Sequence, residues 1–274
     1  MDRSDTPVLC AVAVGNSRLR AGRFSAGGLV DSGAVAADDD AAIRELLTAM
    51  IDGQARVLAI ASAAPAHTER VERLAADAAH DARLVRVGRD LPIPINRALD
   101  DESTVGHDRL LAALGAYRTA NQACVVVDAG TAVTIDFVDG EGTFQGGAIA
   151  PGPTLMLDAL HGRATHLPQL EFKPPDPRRG VFGKDTTHAM LLGVAAALRG
   201  VFRERLDSYA EAYGAYPQVV ATGGDAALLE ETGLVDHIVP DLVLMGIAAA
   251  FESALRAEAD GLDDNPADGP DAHG

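Results

Sequence analysis

The architecture of this 274-residue chain follows from one segment, Val125-Val126-Val127-Asp128-Ala129-Gly130-Thr131-Ala132. Its apolar, β-branched first half predicts a buried strand, and its glycine predicts a tight turn. Residues 132–138 then alternate between polar and apolar side chains, as a half-buried strand does. The segment therefore predicts a β-hairpin whose first strand is buried and carries an acid just before the turn.

An earlier segment repeats this pattern near the start of the chain. Ala11-Val12-Ala13-Val14-Gly15-Asn16-Ser17 aligns with residues 126–132, and the two glycines stand 115 positions apart, which is 130 minus 15. In both places an apolar strand reaches a glycine turn and returns as an alternating strand, and further helices and strands follow. We therefore predict a duplicated α/β protein with one lobe at residues 1–120 and a second at residues 121–257.

Net charge restricts the possible partners. The formal net charge is −17, which argues against binding nucleic-acid phosphates and against docking on anionic membranes, because both need clustered lysine and arginine. A phosphate ligand stays possible, since backbone N–H groups can hold phosphate in an acidic protein. We expect no nucleic-acid partner and no membrane partner.

Segment lengths and cysteine usage predict a cytoplasmic protein. No apolar run reaches the roughly 18 residues of a transmembrane helix, and residues 1–7 lack the pattern of a signal peptide. Cys10 and Cys124 lie in apolar runs without the spacing of a zinc site or a disulfide framework, so we expect two buried, reduced thiols. The acidic segment 258–274 is predicted to be a disordered, non-catalytic tail.

Several glycine-rich turns are candidates for binding phosphate or nucleotide. Gly15-Asn16-Ser17 and Gly130-Thr131 each expose backbone N–H groups between two strands. An ordinary hairpin turn would have the same sequence, but the occurrence of both turns at equivalent places favours phosphate binding. Thr222-Gly223-Gly224 suits an adenosine or phosphate, and the stretch 146–152 suits close backbone approach to a ligand; a plain turn is the alternative for each.

Two acidic positions are candidates for chemistry. Asp128 ends a buried strand, where a carboxylate is costly unless it is paired. It therefore predicts a metal or monovalent-cation ligand, with hydrogen bonding to the turn backbone as the alternative. Asp108 and Arg109 place an acceptor beside a guanidinium early in a helix predicted to be capped by Ser103. That pair could take a hydroxyl proton and hold a substrate carboxylate, or it could be a helix-dipole acid beside a solvated arginine.

Seven motifs form a series along the chain. In order they are Val14-Gly15-Asn16-Ser17, Gly106-His107-Asp108-Arg109, Asp128-Ala129-Gly130-Thr131-Ala132-Val133-Thr134, Gly146-Gly147-Ala148-Ile149-Ala150-Pro151-Gly152, Leu167-Pro168, Gly183-Lys184-Asp185-Thr186 and Thr222-Gly223-Gly224. No one of them is specific alone. Their order and spacing, from about Val8 to Phe251, resemble the type III pantothenate kinase family.

The resemblance implies a fold, a reaction and its partners. The fold is the duplicated actin-like, ribonuclease H-like two-lobed kinase fold, which places a nucleotide between its lobes. The reaction transfers the γ-phosphate of ATP to the primary hydroxyl of pantothenate, giving 4′-phosphopantothenate in the first step of coenzyme A biosynthesis. The family needs Mg²⁺ with ATP and a monovalent cation, K⁺ or NH4⁺, and it works as a homodimer with the substrate site near the interface.

The resemblance also implies roles for individual residues. Asp108 matches the catalytic base, and Asp128 matches the monovalent-cation ligand. The positions that match or adjoin pantothenate-binding residues are Leu99, Gly106, His107, Arg109 and Thr186. The candidate ATP-binding residues are Gly15, Asn16, Ser17, Gly130, Thr131, Thr222, Gly223 and Gly224.

Two positions depart from the family pattern. The family has an aspartate two residues before the first glycine, where this chain has Ala13, and that carboxylate is expected to organise Mg²⁺ and phosphate. The family usually has an aromatic substrate contact where this chain has Leu99. Three hypotheses follow: an active pantothenate kinase, a catalytically weakened member that binds nucleotide or a pantothenate-like ligand in a regulatory role, and a kinase for a different small alcohol.

Overall fold

The computed structural model of this chain describes most of its residues. The described residues are 7–26, 28–52, 54–78, 82–164, 166–230 and 232–263. They form two compact units, one made of the described residues up to Pro94 and from Leu244 onward, the other running from Ile95 to Val243. The lobe boundaries expected after residues 120 and 257 stay predictions, and most of the predicted tail, residues 264–274, lies outside the described part.

The first unit contains a mixed sheet, two helices of its own and most of the last helix of the chain, which begins in the second unit. Its elements are β1 (Leu9–Val14), β2 (Arg18–Ser25), β3 (Gly28–Ala36), α1 (Asp40–Ile51), β4 (Val57–Ser62), α2 (Pro65–Ala78) and β5 (Arg83–Arg86). The five strands lie in the order β3-β2-β1-β4-β5. Strands β1, β2 and β3 are successively antiparallel, whereas β4 runs parallel to β1 and β5 parallel to β4. Helix α1 is capped by Asp39, whose carboxylate accepts hydrogen bonds from two backbone N–H groups.

The second unit contains a six-stranded sheet. Its elements are β6 (Asn96–Arg97), α3 (His107–Ala120), β7 (Cys124–Ala129), β8 (Ala132–Val138), β9 (Thr143–Pro151), α4 (Pro153–Arg163), α5 (Thr186–Tyr213), β10 (Gln218–Thr222), α6 (Ala227–Glu230), β11 (His237–Ile238) and the start of α7 (Leu242–Asp263). The strand order is β11-β10-β7-β8-β9-β6. None of the helices within the described residues is long and apolar enough to cross a membrane.

The two sheets confirm the predicted duplication. Read from β9, the second sheet has the order β9-β8-β7-β10-β11, which repeats β3-β2-β1-β4-β5, and β6 is an addition at its edge. The strand directions repeat as well, because β7, β8 and β9 are antiparallel while β10 and β11 continue in parallel. Strands β1 and β7 have six residues each, and in both only the fifth residue, Ala13 or Asp128, is not fully buried.

Side-chain alternation assigns the two faces of the second sheet. Val125 and Ile135 belong to the core cluster that includes Phe202 of α5. Asp128 and Asp136 lie at positions of the opposite parity on β7 and β8, and therefore on the other face. Helix α3 packs against these two strands, which brings its first turn to the acidic residues of that face.

Helix α3 begins later than the sequence predicted. Ser103 does not cap it; residues 102–104 form a short 3-10 turn whose cap is Asp101. The Asp101 carboxylate accepts hydrogen bonds from the Ser103 backbone N–H at 2.9 Å and from its hydroxyl at 2.6 Å. Val105 is then extended, and Gly106 is the residue that precedes the helix. Asp108 consequently lies at the second helical residue.

Candidate active site

The first glycine turn closes the hairpin between β1 and β2. The Gly15 N–H donates to the Arg18 carbonyl oxygen at 2.9 Å, and Asn16 and Ser17 form the exposed tip. A Cβ at Gly15 would lie 3.0 Å from that same oxygen, which explains why glycine suits the position. Ala13 is half-buried just before the end of β1, so the strand reaches this turn with a methyl group instead of a carboxylate.

The second glycine turn meets the beginning of α4. The Gly130 N–H donates to the Ala132 carbonyl oxygen at 3.0 Å, and the Gly152 N–H donates to the Thr131 carbonyl oxygen at 2.9 Å. A Cβ at Gly152 would collide with the carbonyl oxygens of Gly130 and Thr131. Because Gly152 is the N-cap of α4, the positive end of that helix lies at the turn, an arrangement suited to phosphate.

The third turn joins the same end of the second sheet. Parallel pairing of β7 and β10 sets Thr222 beside Asp128. Gly223 has a φ of 93°, and a Cβ there would lie 2.5 Å from the Asp128 Oδ1. The Asp225 N–H donates to the Ala129 carbonyl oxygen at 2.9 Å. These contacts gather Asp128 and the turns at residues 130–131 and 222–224 into one cluster.

Burial and neighbouring charges both disfavour the ionised form of Asp128. Burial, followed by the charges of Asp108 and Asp136, raises the pKa of Asp128 from 3.8 to about 6. Among the described residues no cationic side chain pairs with it, and that part of the chain holds no group of three or more His, Cys, Asp or Glu side chains placed to bind a metal ion. A single carboxylate of this kind is compatible with a singly charged cation, which would favour its ionised form.

Asp108 lies where a helix N-terminus favours a negative charge. It is half-buried at the second residue of α3. Its Oδ1 accepts a hydrogen bond from the Arg109 backbone N–H at 2.9 Å. A Cβ at Gly106 would collide with that same oxygen, so the glycine provides the space that the carboxylate occupies. His107 is exposed beside it.

Arg109 forms a bidentate ion pair with Asp136 of β8. Its Nε donates to Oδ1 and Oδ2 of Asp136 at 3.2 and 3.1 Å, and its Nη2 donates to Oδ1. Burial alone would lower the pKa of Arg109, but the hydrogen bond and charge of Asp136, with the charge of Asp108, raise it. Burial raises the pKa of Asp136, and Arg109 opposes that shift.

Small residues in β9 make room for other side chains. A Cβ at Gly146, whose φ is 91°, would lie 3.2 Å from Cδ2 of the half-buried Leu99. Gly147 lies opposite Asp136 in the sheet register, and a Cβ there would collide with the carboxylate. At these two positions the missing side chains serve packing within the protein.

Thr186 lies at the start of another helix of the second unit. It is exposed at the first residue of α5, after the N-cap Asp185. Within the described residues, no hydrogen bond joins Thr186 to the first turn of α3.

Asp136 is the site residue that the sequence reasoning missed. A signal was available, because the predicted β7–β8 hairpin and its alternation set residues 128 and 136 on one face of the sheet. The hairpin register confirms this placement, with Asp128 opposite Thr134 and Asp136 opposite Val126. What the sequence could not provide was the distance between Asp136 and helix α3.

Comparison with known proteins identifies relatives across nearly the whole chain. A model of the family described as type III pantothenate kinase matches residues 9–207. A type III pantothenate kinase from Frankia alni is 34% identical over 259 residues, an alignment that covers 90% of this chain and 100% of that protein.

Solved structures share the fold at low identity. A Baf family protein from Campylobacter jejuni superposes with a TM-score of 0.58 at 17% identity, covering 91% of this chain and 99% of that one. Component A of (R)-2-hydroxyglutaryl-CoA dehydratase from Acidaminococcus fermentans gives a TM-score of 0.52 at 16% identity, covering 92% and 100%. The fold is the duplicated actin-like fold that the sequence predicted.

Proposed function

This chain belongs to the type III pantothenate kinase family, and from that premise we propose that it transfers the γ-phosphate of ATP to the primary hydroxyl of pantothenate. The product is 4′-phosphopantothenate, the first intermediate of coenzyme A biosynthesis. The observation that carries the proposal is the arrangement of Asp108 and Arg109 in the first turn of α3, on the sheet face that also bears Asp128.

Asp108 is the proposed catalytic base. Phosphoryl transfer proceeds through a loose transition state, so catalysis depends on alignment and charge neutralisation more than on covalent help. The Asp108 carboxylate orients the pantothenate hydroxyl and takes its proton as the new P–O bond forms. Arg109 binds the carboxylate of pantothenate, with Gly106, His107, Leu99 and Thr186 as further contacts.

The glycine turns are the proposed ATP site. Gly130 and Thr131 lie at the N-terminus of α4, whose dipole favours the negative charge of phosphate oxygens. In the first unit the turn at residues 15–17 is the other proposed phosphate loop, and the turn at residues 222–224 suits the adenosine or a phosphate. Transfer requires no covalent intermediate on the protein.

Two kinds of cation complete the proposed site. Mg²⁺ bound with ATP, and K⁺ or NH4⁺ bound at Asp128, would neutralise charge on the phosphate oxygens. The raised pKa of Asp128, about 6, supports this role, because an unpaired carboxylate gains stability when a cation binds. Mg²⁺ keeps several waters and often needs only one or two carboxylates, which is compatible with the methyl group at Ala13.

A cytoplasmic homodimer is the proposed state of the protein. Exposed apolar side chains in the second unit support an interface: Ile149 is 65% exposed, Val181 80% and Phe182 74%. The last two lie in the loop that leads to Thr186, which would set the interface close to the substrate. Light scattering after size-exclusion chromatography tests the dimer.

Mass spectrometry tests the reaction. Purified protein with ATP, Mg²⁺, K⁺ and pantothenate is expected to form 4′-phosphopantothenate, and the Asp108→Asn variant is expected to form almost none. Absence of product from the wild type, while a known active kinase makes it under the same conditions, would overturn the proposal.

Ala13 favours a second candidate function, a weakened family member that binds nucleotide or a pantothenate-like ligand as a regulator. An Mg²⁺ titration of wild type and Ala13→Asp separates the two. In a weakened kinase, the restored carboxylate raises the rate and shifts the Mg²⁺ requirement to lower concentration. In an enzyme that has rebuilt its metal site with another acid, the added repulsion lowers the rate. Superimposed titrations would show that position 13 does not face the metal.

A further inference from the structure

Asp136 has no part in the proposed phosphoryl transfer, yet it is the most deeply buried acid of the site. It lies in the middle of β8, and only 1% of it is exposed. A carboxylate at that depth lowers stability unless a cation or several donors compensate for the lost water. The side chain that compensates it is Arg109.

The guanidinium of Arg109 is held along one edge and over one face. Along the edge, Nε lies 3.2 and 3.1 Å from the two carboxylate oxygens of Asp136, and Nη2 donates to the same group. Over the face, the guanidinium carbon lies 5.6 Å from the ring centroid of Phe144, which is completely buried. An ion pair and a cation–π contact together fix both the position and the plane of the group.

The local backbone is shaped to admit this carboxylate. Gly147 is the residue opposite Asp136 in the β8–β9 register, and any side chain there would collide with the Asp136 Oδ1. Thr134, on the same face of β8, also supplies a hydrogen bond that lowers the pKa of Asp136. The position of the Asp136 carboxylate is therefore fixed by the neighbouring residues of β8 and β9.

The clamped arginine is the residue next to the proposed base. Its backbone N–H donates to the Asp108 Oδ1 at 2.9 Å. The Nη1 atom of Arg109 makes no hydrogen bond or ion pair to any described residue.

We infer that Asp136 is a positioning residue: it holds one edge of Arg109 so that Nη1 is presented to the carboxylate of pantothenate. The inference rests on the proposed function, because it supposes that this carboxylate is the group that Arg109 binds. It predicts that neutralising Asp136 weakens the recognition of pantothenate while the recognition of ATP is preserved.

The first experiment compares Asp136→Asn with a matched control, Glu72→Gln. Glu72 forms an equivalent bidentate pair with Arg86 in the first unit, so the control removes the same kind of charge outside the site. KM for pantothenate and for ATP and kcat are measured, with the Kd of pantothenate by calorimetry. For Asp136→Asn we expect the KM and the Kd for pantothenate to rise roughly 10- to 100-fold, because one charge-assisted contact with the substrate is lost. The KM for ATP should stay nearly unchanged. Glu72→Gln should change neither.

The second experiment tests whether Asp136 acts through Arg109. Arg109→Lys keeps the charge but cannot form the bidentate pair, and it should raise the KM for pantothenate by itself. In that background Asp136→Asn should add little, since the contact it supports is already lost. Equal effects of Asp136→Asn with and without Arg109→Lys would show that Asp136 acts by another route.

The outcomes separate this inference from the proposed function. Suppose that the wild type phosphorylates pantothenate, and that the ratio of the KM for pantothenate to the KM for ATP is the same in Asp136→Asn as in Glu72→Gln. That result would overturn this inference and leave the proposed function intact. A wild type that neither binds nor phosphorylates pantothenate would overturn both.

If Asp136→Asn does not fold, Phe144→Leu removes the ring under the guanidinium while keeping an apolar side chain. It should raise the KM for pantothenate several-fold without changing the KM for ATP, and an unchanged ratio would then refute the clamp.

Discussion

Replacing Asp128 with asparagine should stabilise the protein at neutral pH, although it removes a candidate ligand. Burial, with the charges of Asp108 and Asp136, raises the pKa of Asp128 from 3.8 to about 6. At about 1.4 kcal/mol for each pKa unit, ionising Asp128 in the folded protein costs about 3 kcal/mol of unfolding free energy. Asparagine has the same shape and carries no charge.

The sign of the effect follows from proton linkage. A carboxyl with a raised folded pKa binds more protons in the folded state, so its contribution to stability is fully present below about pH 4 and is lost as the pH rises through about 6. Without a bound cation, Asp128→Asn should therefore exceed the wild type by about 3 kcal/mol at pH 8 and match it near pH 4. Added K⁺ should narrow the difference at pH 8, because it stabilises only the wild type.

Urea unfolding followed by circular dichroism measures these differences, since the chain has no tryptophan for fluorescence. Buffers with tetramethylammonium as the only cation keep the site free of K⁺. Asp158→Asn, on an exposed part of α4, controls for the loss of one negative charge. The reasoning would be refuted by an Asp128→Asn variant that is no more stable than the wild type at pH 8, or by a difference that is the same at pH 4 and pH 8.

Three further predictions concern other parts of the protein. Asp108→Asn should lower kcat by roughly 10²- to 10⁴-fold while calorimetry gives a nearly unchanged Kd for ATP; full activity would reject Asp108 as the base. Burial raises the pKa of Cys10 and Cys124 to about 12, so both should resist iodoacetamide in the folded protein and react after unfolding, and rapid labelling of the native protein would contradict this. Gly223→Ala should cost about 1–3 kcal/mol of unfolding free energy because its φ is 93°, whereas Gly200→Ala, with open space around its Cβ position, should not destabilise; equal midpoints in urea would contradict the strain argument.

Local sequence signals predicted the strands and turns well, because each is specified by nearby residues. The buried strand predicted to carry Asp128 just before the turn is β7, Cys124–Ala129, and the alternating strand predicted at residues 132–138 is β8, Ala132–Val138. The duplication could be predicted because a glycine turn between a buried and an alternating strand has a signature of about ten residues.

Competing local hydrogen bonds explain the error at the start of α3. Ser103 has the side chain of a helix cap, but Asp101 captures both its backbone N–H and its hydroxyl. The chain closes a 3-10 turn there and restarts as a helix after Gly106. Aspartate and serine both belong to the residue types that cap helices, and the local pattern does not decide which side chain holds the N–H groups.

Interactions between distant residues were beyond the reach of the sequence. Arg109 was expected either to be solvated or to bind the carboxylate of a substrate. In the structure one edge of its guanidinium is hydrogen-bonded to Asp136, which is 27 residues away. Gly146 and Gly147 were expected to allow close approach of a ligand or to form a plain turn, whereas a Cβ would lie 3.2 Å from Leu99 at Gly146 and would collide with Asp136 at Gly147. In each case the partner is set by the packing of α3 and β9 on one sheet, which no local pattern encodes.

The duplicated turns have diverged in chemistry while keeping the same strand geometry. Ala13 and Asp128 are both the fifth residue of a six-residue strand that is otherwise buried, so the two positions differ in side chain and not in placement.

The carboxylate of Asp128 lies near other charged groups. Asp108 and Asp136 raise its pKa, and Arg109 is paired with Asp136. Three carboxylates against one guanidinium leave an excess of negative charge in the second unit when all are ionised. A cation binding there gains from that excess, whereas the first turn has a methyl group at the same point and no carboxylate with which to attract a cation. The dependence on a monovalent cation that we propose should therefore arise from the second half of the duplication.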